Sequence, residues 1–131
     1  HIPLETLDAG AGNDSWGWVD STTNKEYALM GLNNGTAFLD VTTPNQPIYL
    51  GKLPTKTVSS PWRDIKVYKD YAFIVSEAQG HGMQVFDLTR LRNVANPPEI
   101  FTAETTLISK SFLKSSSFKR EIGFKLMLPG Q

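Results

Sequence analysis

The chain contains no cysteine, no excess of either charge and no long apolar run. The absence of cysteine excludes disulfides, a thiol nucleophile and thiolate metal sites, but it leaves the compartment open because many large β proteins need no disulfide. Thirteen basic residues balance thirteen acidic residues, so no global field attracts nucleic acid or an anionic membrane. No apolar run reaches about 18 residues, so we expect no transmembrane segment.

The chain does contain an internal repeat. Five residues recur 44 positions later and three recur 47 positions later: Trp18, Asp20, Lys25, Tyr27 and Ala28 become Trp62, Asp64, Lys69, Tyr71 and Ala72, and Gly35, Asp40 and Thr42 become Gly82, Asp87 and Thr89. Short apolar strands repeated about every 45 residues are typical of β-propeller blades, and a propeller closes with about four to eight blades. With two copies in 131 residues, the chain is predicted to be all-β, a partial propeller of about two four-stranded antiparallel blades.

Each copy is predicted to contain about four strands. The predicted strands span residues 16–19, 26–32, 36–41 and 47–53 in the first copy, and 62–68, 71–75 and 83–88 in the second. Asn34-Gly35 is predicted to form a two-residue hairpin turn, because both central positions of such a turn favour positive φ. The run 71–75 is apolar without alternation, which predicts a strand covered on both faces.

The repeat ends before the chain does. We therefore expect a partial propeller over residues 1–104, with modules at about 16–53 and 62–104, and a divergent basic tail at 105–131 that is helical or disordered. Phe118, Ile122 and Leu126 have helical spacing within that tail. Because the chain starts at His1 and the repeat stops after Glu104, we expect a fragment of a longer protein. An independent β-sandwich with a C-terminal helix is the alternative.

Several stretches resemble the choice-of-anchor B family of LVIVD-repeat surface proteins. They are WRDIKV, AFIVSE and GHGMQVFDL within residues 62–88, NDSWGW at 13–18 and GTAFLDVT at 35–42. The resemblance covers about residues 1–104. It implies a secreted or cell-surface β-propeller with no established catalytic activity. We therefore expect a non-enzymatic binding or display scaffold for a protein or carbohydrate ligand, without a cofactor.

Only Arg63, Asp64, Glu77 and His81 resemble a site. Glu77 and His81 share a glycine-flanked loop created by the three-residue insertion in the second copy, and His81 could serve there as an acid, a base or a metal ligand. The structural alternative is a Glu77–His81 hydrogen-bonding pair and an Arg63–Asp64 ion pair. It is favoured because metal sites usually need three or more protein ligands. The competing function is a metal-dependent propeller hydrolase with a site near Asp64, Glu77 and His81.

Recurring residues are expected to build the blades. Asp40 and Asp87 each precede a threonine by two residues, a spacing typical of a capped turn. Trp16, Trp18 and Trp62 are expected in the core, although each could stack on a sugar ring if exposed.

Two further features concern partners. Asn13 and Asn34 match the N-glycosylation acceptor pattern, although the predicted hairpin turn explains Asn34 without a glycan. Two blades alone leave open sheet edges, and open edges favour self-association.

Overall fold

The computed structural model of the protein describes residues 1–107. This part of the chain is all-β, as predicted, and holds nine strands and one short 3₁₀ helix. The strands are β1 (Gly12–Val19), β2 (Glu26–Leu32), β3 (Gly35–Asp40), β4 (Ile48–Pro54), β5 (Arg63–Tyr68), β6 (Tyr71–Ser76), β7 (Met83–Asp87), β8 (Glu99–Ile100) and β9 (Thr105–Leu107), and the helix is Leu88–Asn93. The predicted helical spacing at Phe118, Ile122 and Leu126 lies outside the described residues.

The strands form two sheets. The first has the order β1-β2-β3-β4-β8 and the second β5-β6-β7-β9. Neighbouring strands are antiparallel, except that β8 runs parallel to β4. The second copy therefore contributes the short strand β8 to the first sheet before β9 completes the second sheet. Strand β9, the fourth strand of the second sheet, begins at Thr105, one residue beyond the predicted end of the propeller region at residue 104.

The β2–β3 turn lies one residue away from its predicted position. Leu32 pairs with Gly35, so Asn33 and Asn34 form the turn, and neither of them is among the residues with positive φ. Side chains hold the turn instead. Asn34 Nδ2 donates to the Asp8 carbonyl at 2.7 Å, and the Asn33 side chain accepts two backbone N–H groups of the N-terminal segment.

The main core lies between the facing surfaces of the two sheets. Phe38 of β3 stacks on Phe86 of β7 with ring centroids 4.6 Å apart, and Phe101 meets both rings edge-on. Full burial of a side chain of this size stabilises a fold by about 1.5–3 kcal/mol. These rings therefore hold the two sheets together.

Strand β6 is covered on both faces, as its unbroken apolar run predicts. Ala72 and Ile74 pack in the core between the sheets. Phe73 points to the other face and packs with Met83 in a separate cluster. All four side chains are buried.

An ion pair also joins the two copies. Arg92 in the 3₁₀ helix donates from Nε and Nη2 to both carboxylate oxygens of Asp20, at 2.6 and 2.7 Å. Asp20 follows β1 and also accepts from Thr22 and Thr23. These donors, Arg92 above all, hold the pKa of the Asp20 carboxyl well below its usual range. Because a bidentate pair fixes orientation as well as distance, it anchors the β1–β2 turn to the second copy.

Strand pairing matches the first strands of the two copies differently from the sequence repeat. Tyr27 and Tyr71 are equivalent, because each pairs with the aspartate that ends the next strand. Trp18 pairs with Tyr27, however, whereas Tyr68 pairs with Tyr71. Trp18 therefore corresponds to Tyr68, and the sequence match between Trp18 and Trp62 has no structural counterpart.

The three tryptophans lie in different surroundings. Trp18 is 5% exposed and stacks on Tyr27, so its predicted place in the core is confirmed. Trp16 and Trp62 are 38% and 44% exposed, and the same prediction is wrong for both. The exposed pair lies at the β1 and β5 side of the molecule, where the candidate site is found.

The two strand-ending aspartates cap turns, as predicted. Asp40 accepts from the Thr42 N–H at 3.0 Å, and Asp87 accepts from the Thr89 N–H at 2.9 Å. Residues that recur between the copies at these positions therefore build the fold.

Candidate functional site

Arg63 and His81 come together, and both are buried. Arg63 is 1% exposed, its Nη1 lies 3.1 Å from His81 Nε2, and its Nε donates to the Leu32 carbonyl at 2.8 Å. Nη2 reaches the Asn33 carbonyl at 3.4 Å. The guanidinium thus ties β5 to the β2–β3 turn and to the loop after β6, and every one of these partners is uncharged.

The contacts of His81 define its chemistry. Its Nδ1 lies 3.0 Å from the Gly82 carbonyl, which can only accept, so Nδ1 carries the proton and Nε2 accepts from Arg63. Burial, followed by the charge of Arg63, lowers the pKa of the imidazole, and the bond to Gly82 opposes this shift. His81 is therefore a neutral acceptor with both ring nitrogens engaged. A metal ion would have to displace Arg63 and withstand its positive charge.

Glu77 bonds to Ser60 and not to His81. It is exposed, and its Oε1 accepts from the Ser60 hydroxyl at 3.4 Å. The proposed Glu77–His81 hydrogen-bonding pair is therefore wrong. The loop after β6 turns at Gly80 and Gly82, both with positive φ, and its polar side chains differ in burial: His81 is buried, whereas Glu77 and Gln79 are exposed.

Asp64 lies on the opposite face of β5 from Arg63. Its Oδ1 is 3.4 Å from Lys66 Nζ, and its carboxyl group also contacts that of Asp14. Burial, followed by the contact with Asp14, raises the pKa of Asp64, while Lys66 opposes the shift. The expected Arg63–Asp64 ion pair is therefore wrong, since successive residues of a strand point to opposite faces.

The structure does not bring Asp64, Glu77 and His81 together. Among residues 1–107, no group of three or more histidines, aspartates and glutamates is placed to hold a metal ion. The contacts of the three residues explain why: His81 is held by Arg63, Glu77 by Ser60 and Asp64 by Lys66. The predicted site residues thus divide into a buried pair, an exposed loop carboxylate and a surface on β5.

Strand β1 packs along the edge of β5. Asn13 Oδ1 accepts from the Arg63 N–H at 3.0 Å, and Asp14 Oδ2 accepts from the Ile65 N–H at 2.7 Å. A bulge in β1 between Gly12 and Ser15 allows this contact. Two outward N–H groups of the edge strand are satisfied by side chains, so this edge is less open than the sequence predicts.

Four residues on these two strands form what we call the β1–β5 surface: Asp14, Trp16, Asp64 and Lys66. Lys66 Nζ lies over the Trp16 ring, 4.9 Å from its centroid, while it also pairs with Asp64. Asp14 has a φ of 63°, a left-handed conformation that is uncommon outside glycine. The surface thus combines an exposed indole, two carboxylates and one ammonium.

Of this surface, the sequence predicts a site role for Asp64, and for Trp16 only as a sugar-stacking alternative to its expected place in the core. The strand pairing within each sheet shows which residues of the two copies are structural counterparts. The Asn13-Asp14 bulge corresponds to the position of Asp64, and Trp16 corresponds to Lys66. The first strands of the two copies are therefore offset by 50 residues, because Trp16 pairs with Leu29, Lys66 pairs with Phe73, and Leu29 and Phe73 are equivalent positions. Around these strands only two aspartates match at that offset, Asp14 with Asp64 and Asp20 with Asp70, so the sequence carries little signal for it.

The two candidate glycosylation positions differ in their surroundings. Asn34 Nδ2, the atom to which a glycan would be attached, donates to the Asp8 carbonyl at 2.7 Å, and Asn34 Oδ1 accepts from Lys52. Asn13 is half-buried and binds Arg63 through its Oδ1. Attachment of a glycan at Asn34 would require the β2–β3 turn to lose its contact with the N-terminal segment.

No protein-family model, curated protein or solved structure matches the chain. Within residues 1–107, no helix is both long enough and apolar enough to cross a membrane. The case for a function therefore depends on the arrangement of the two sheets and on the β1–β5 surface.

Proposed function

We propose that the chain is a non-enzymatic binding scaffold made of two consecutive β-propeller blades, acting outside the cell or on its surface. The observation that carries the proposal is the arrangement of two successive sheets, packed face to face with their first strands side by side. Strands β1–β4 form a four-stranded antiparallel unit to which β8 adds a parallel fifth strand, and β5, β6, β7 and β9 form the second four-stranded unit. Blades of a propeller are four-stranded sheets around a common axis, so the first strands of neighbouring blades meet at that axis. The side-by-side packing of β1 and β5 supports this arrangement.

A rigid pair of sheets suits a scaffold that binds through its surface. The stacked Phe38 and Phe86 rings and the Asp20–Arg92 ion pair fix one copy on the other. The β1–β5 surface then presents an exposed Trp16 beside charged groups at a fixed geometry. Tryptophan is enriched at binding hot spots because one side chain supplies a large, rigid contact. The expected ligand is a protein or a carbohydrate.

Binding without turnover tests the function. The purified 131-residue chain would be presented to arrays of glycans and extracellular proteins, and each retained ligand would be recovered for mass spectrometry. We expect retention at stoichiometric amounts and an unchanged ligand mass. A ligand recovered with a changed mass would favour the hydrolase instead, and an array without any retained ligand would contradict the scaffold.

A pair of variants locates the binding. Trp16→Ala is expected to lose retention, because it removes the exposed indole of the β1–β5 surface. Tyr71→Ala is the matched control, because Tyr71 is 42% exposed and Trp16 is 38% exposed. Equal losses in the two variants would contradict a role for this surface.

The resemblance to LVIVD-repeat surface proteins supports the location. Antibody labelling of intact cells that produce the protein tests it, with permeabilised cells as the control. Labelling only after permeabilisation would contradict a surface location, provided that the culture medium also lacks the protein.

A further inference from the structure

The ammonium group of Lys66 occupies a small cation receptor. It lies over the Trp16 ring at 4.9 Å from the centroid and 3.4 Å from Asp64 Oδ1. An aromatic face beside a carboxylate is the combination that recognises organic cations in proteins. The chain thus fills this receptor with its own side chain, two residues along the same strand.

The receptor has one carboxylate more than Lys66 can balance. Asp14 and Asp64 contact each other through their carboxyl groups, and within residues 1–107 Lys66 provides the ammonium beside Asp64. The pKa of Asp64 is raised, through burial and through Asp14, even though Lys66 opposes the shift. An additional or better-placed cation would relieve this repulsion.

Lys66 holds the receptor weakly. The side chains of Lys66 and Asp64 are 23% and 24% exposed, and partly exposed ion pairs of this kind contribute little to stability. A flexible ammonium is a point charge, so it contacts the ring and one carboxylate without bridging the second. A guanidinium is planar, can stack on an indole, and can direct separate N–H groups to two carboxylates.

We propose that the β1–β5 surface binds an arginine side chain of a partner protein, and that this arginine displaces Lys66 from Trp16 and Asp64. The inference rests on the proposed function and specifies the chemistry of the partner. Lys66 acts as a tethered competitor, so it sets the affinity of the surface for the partner.

Removal of the competitor is the central test. The probe is a triarginine peptide with blocked termini, titrated at low ionic strength while the Trp16 indole N–H signal is followed by NMR. Lys66→Gln is expected to bind the peptide about three- to tenfold more tightly than the wild type, from the range of cation–π and exposed ion-pair contributions. Lys69→Gln is the matched control, because it removes the same charge from a lysine that lies over Tyr68 at 5.6 Å.

Removal of the receptor is the converse test. Asp64→Asn is expected to weaken binding by about tenfold or more, because it deletes a direct contact with the guanidinium. Asp70→Asn controls for the lost negative charge, and a trilysine peptide controls for peptide charge. Urea midpoints measured for each variant confirm that the fold is retained.

The outcomes separate this inference from the proposed function. It is overturned if Lys66→Gln binds no more tightly than Lys69→Gln, if Asp64→Asn binds as well as Asp70→Asn, or if trilysine binds as tightly as triarginine. The scaffold proposal survives these results if the arrays still yield an unaltered ligand. Turnover of an array ligand would instead overturn the proposed function itself.

Discussion

Arg63 and Asp64 are neighbours in β5, yet they lie in opposite surroundings. Arg63 is buried and bonds to carbonyl oxygens and a neutral imidazole, and no carboxylate within residues 1–107 pairs with it. Asp64 is partly exposed and contacts both a lysine and a second carboxyl group. The alternation of a β-strand places one charge inside and the next outside. Two adjacent charged residues can therefore serve stability and binding separately.

The comparison also shows which charge the fold depends on. A buried charge costs free energy unless hydrogen bonds replace its hydration, and three carbonyl or imidazole groups do so for Arg63. Water still reaches Asp64, so its contacts contribute less. Substitutions on the buried face of β5 should consequently change the stability of the fold, and those on the exposed face should change binding.

The largest expected effect is that of Arg63→Met. This change leaves the Leu32 carbonyl and His81 Nε2 buried without their donor, which should lower the free energy of unfolding by about 3 kcal/mol. Lys66→Met, on the exposed face of the same strand, is the matched control and should cost less than about 1 kcal/mol. Urea unfolding followed by tryptophan fluorescence measures both. Similar losses would show that the two faces of β5 do not differ in this way.

The next effect is a loss of stability in mild acid. The folded chain lowers the pKa of His81, so as the pH falls below about 6.5 the unfolded chain takes up this proton first. Stability is therefore fully present above that pH and is lost below it. His81→Gln keeps an acceptor for Arg63 and should flatten the profile below about pH 6.5, whereas His1→Gln should not.

Urea midpoints across this pH range provide the measurement. A wild-type profile that stays flat, or one that His1→Gln flattens equally, would contradict the assignment of His81 as a neutral acceptor.

A smaller effect, of opposite sign, is expected on the exposed face. The folded chain raises the pKa of Asp64, so its ionised form is disfavoured and its contribution to stability falls as the pH rises through the folded pKa. Asp64→Asn should therefore be slightly more stable than the wild type at pH 7, by less than about 1 kcal/mol. Thermal unfolding at pH 7 checks this sign, and a clear loss of stability would mean that Asp64 supports the fold.

The smallest expected effect is that of Glu77→Ala. Glu77 is exposed and its bond to Ser60 is 3.4 Å long, so the free energy of unfolding should change by less than about 0.5 kcal/mol. The same urea series measures it. A loss as large as that of Arg63→Met would show that Glu77 supports the buried pair of Arg63 and His81.

The sequence predicts much of the fold, because apolar runs and turn residues act locally. The boundaries of β2 are predicted correctly, the coverage of β6 on both faces follows from its apolar composition, and the caps at Asp40 and Asp87 follow from the threonine two residues later. Each of these features depends on neighbours within a few positions along the chain. The repeat also predicts two sheets of equivalent strands.

The candidate site is predicted only in part, because it depends on contacts between distant residues. The Asn13-Asp14 bulge shifts the register of β1, so the match of Trp18 with Trp62 hides the structural match of Trp18 with Tyr68. Gly31 permits the bulge, since a Cβ at that position would collide with the Asn13 carbonyl. Nothing local in the sequence indicates this shift.

The directions of Arg63 and His81 have a similar origin. Both residues become buried because the β2–β3 turn and the loop after β6 close over them, and Leu32 is 31 positions from Arg63. The adjacency of Arg63 and Asp64 in the sequence does not show which distant segments will cover either side chain. The ion pair expected from adjacency is therefore replaced by contacts with distant backbone.

One comparison tests the central claim most directly: the Asp64→Asn chain against the wild type, with triarginine titrated and the Trp16 indole signal followed by NMR. We predict that Asp64→Asn keeps its fold and is at least as stable as the wild type but loses most of the binding seen in the wild type. An Asp64→Asn chain that binds the peptide as tightly as the wild type, or that unfolds, would contradict the separation of structural and binding charges on β5.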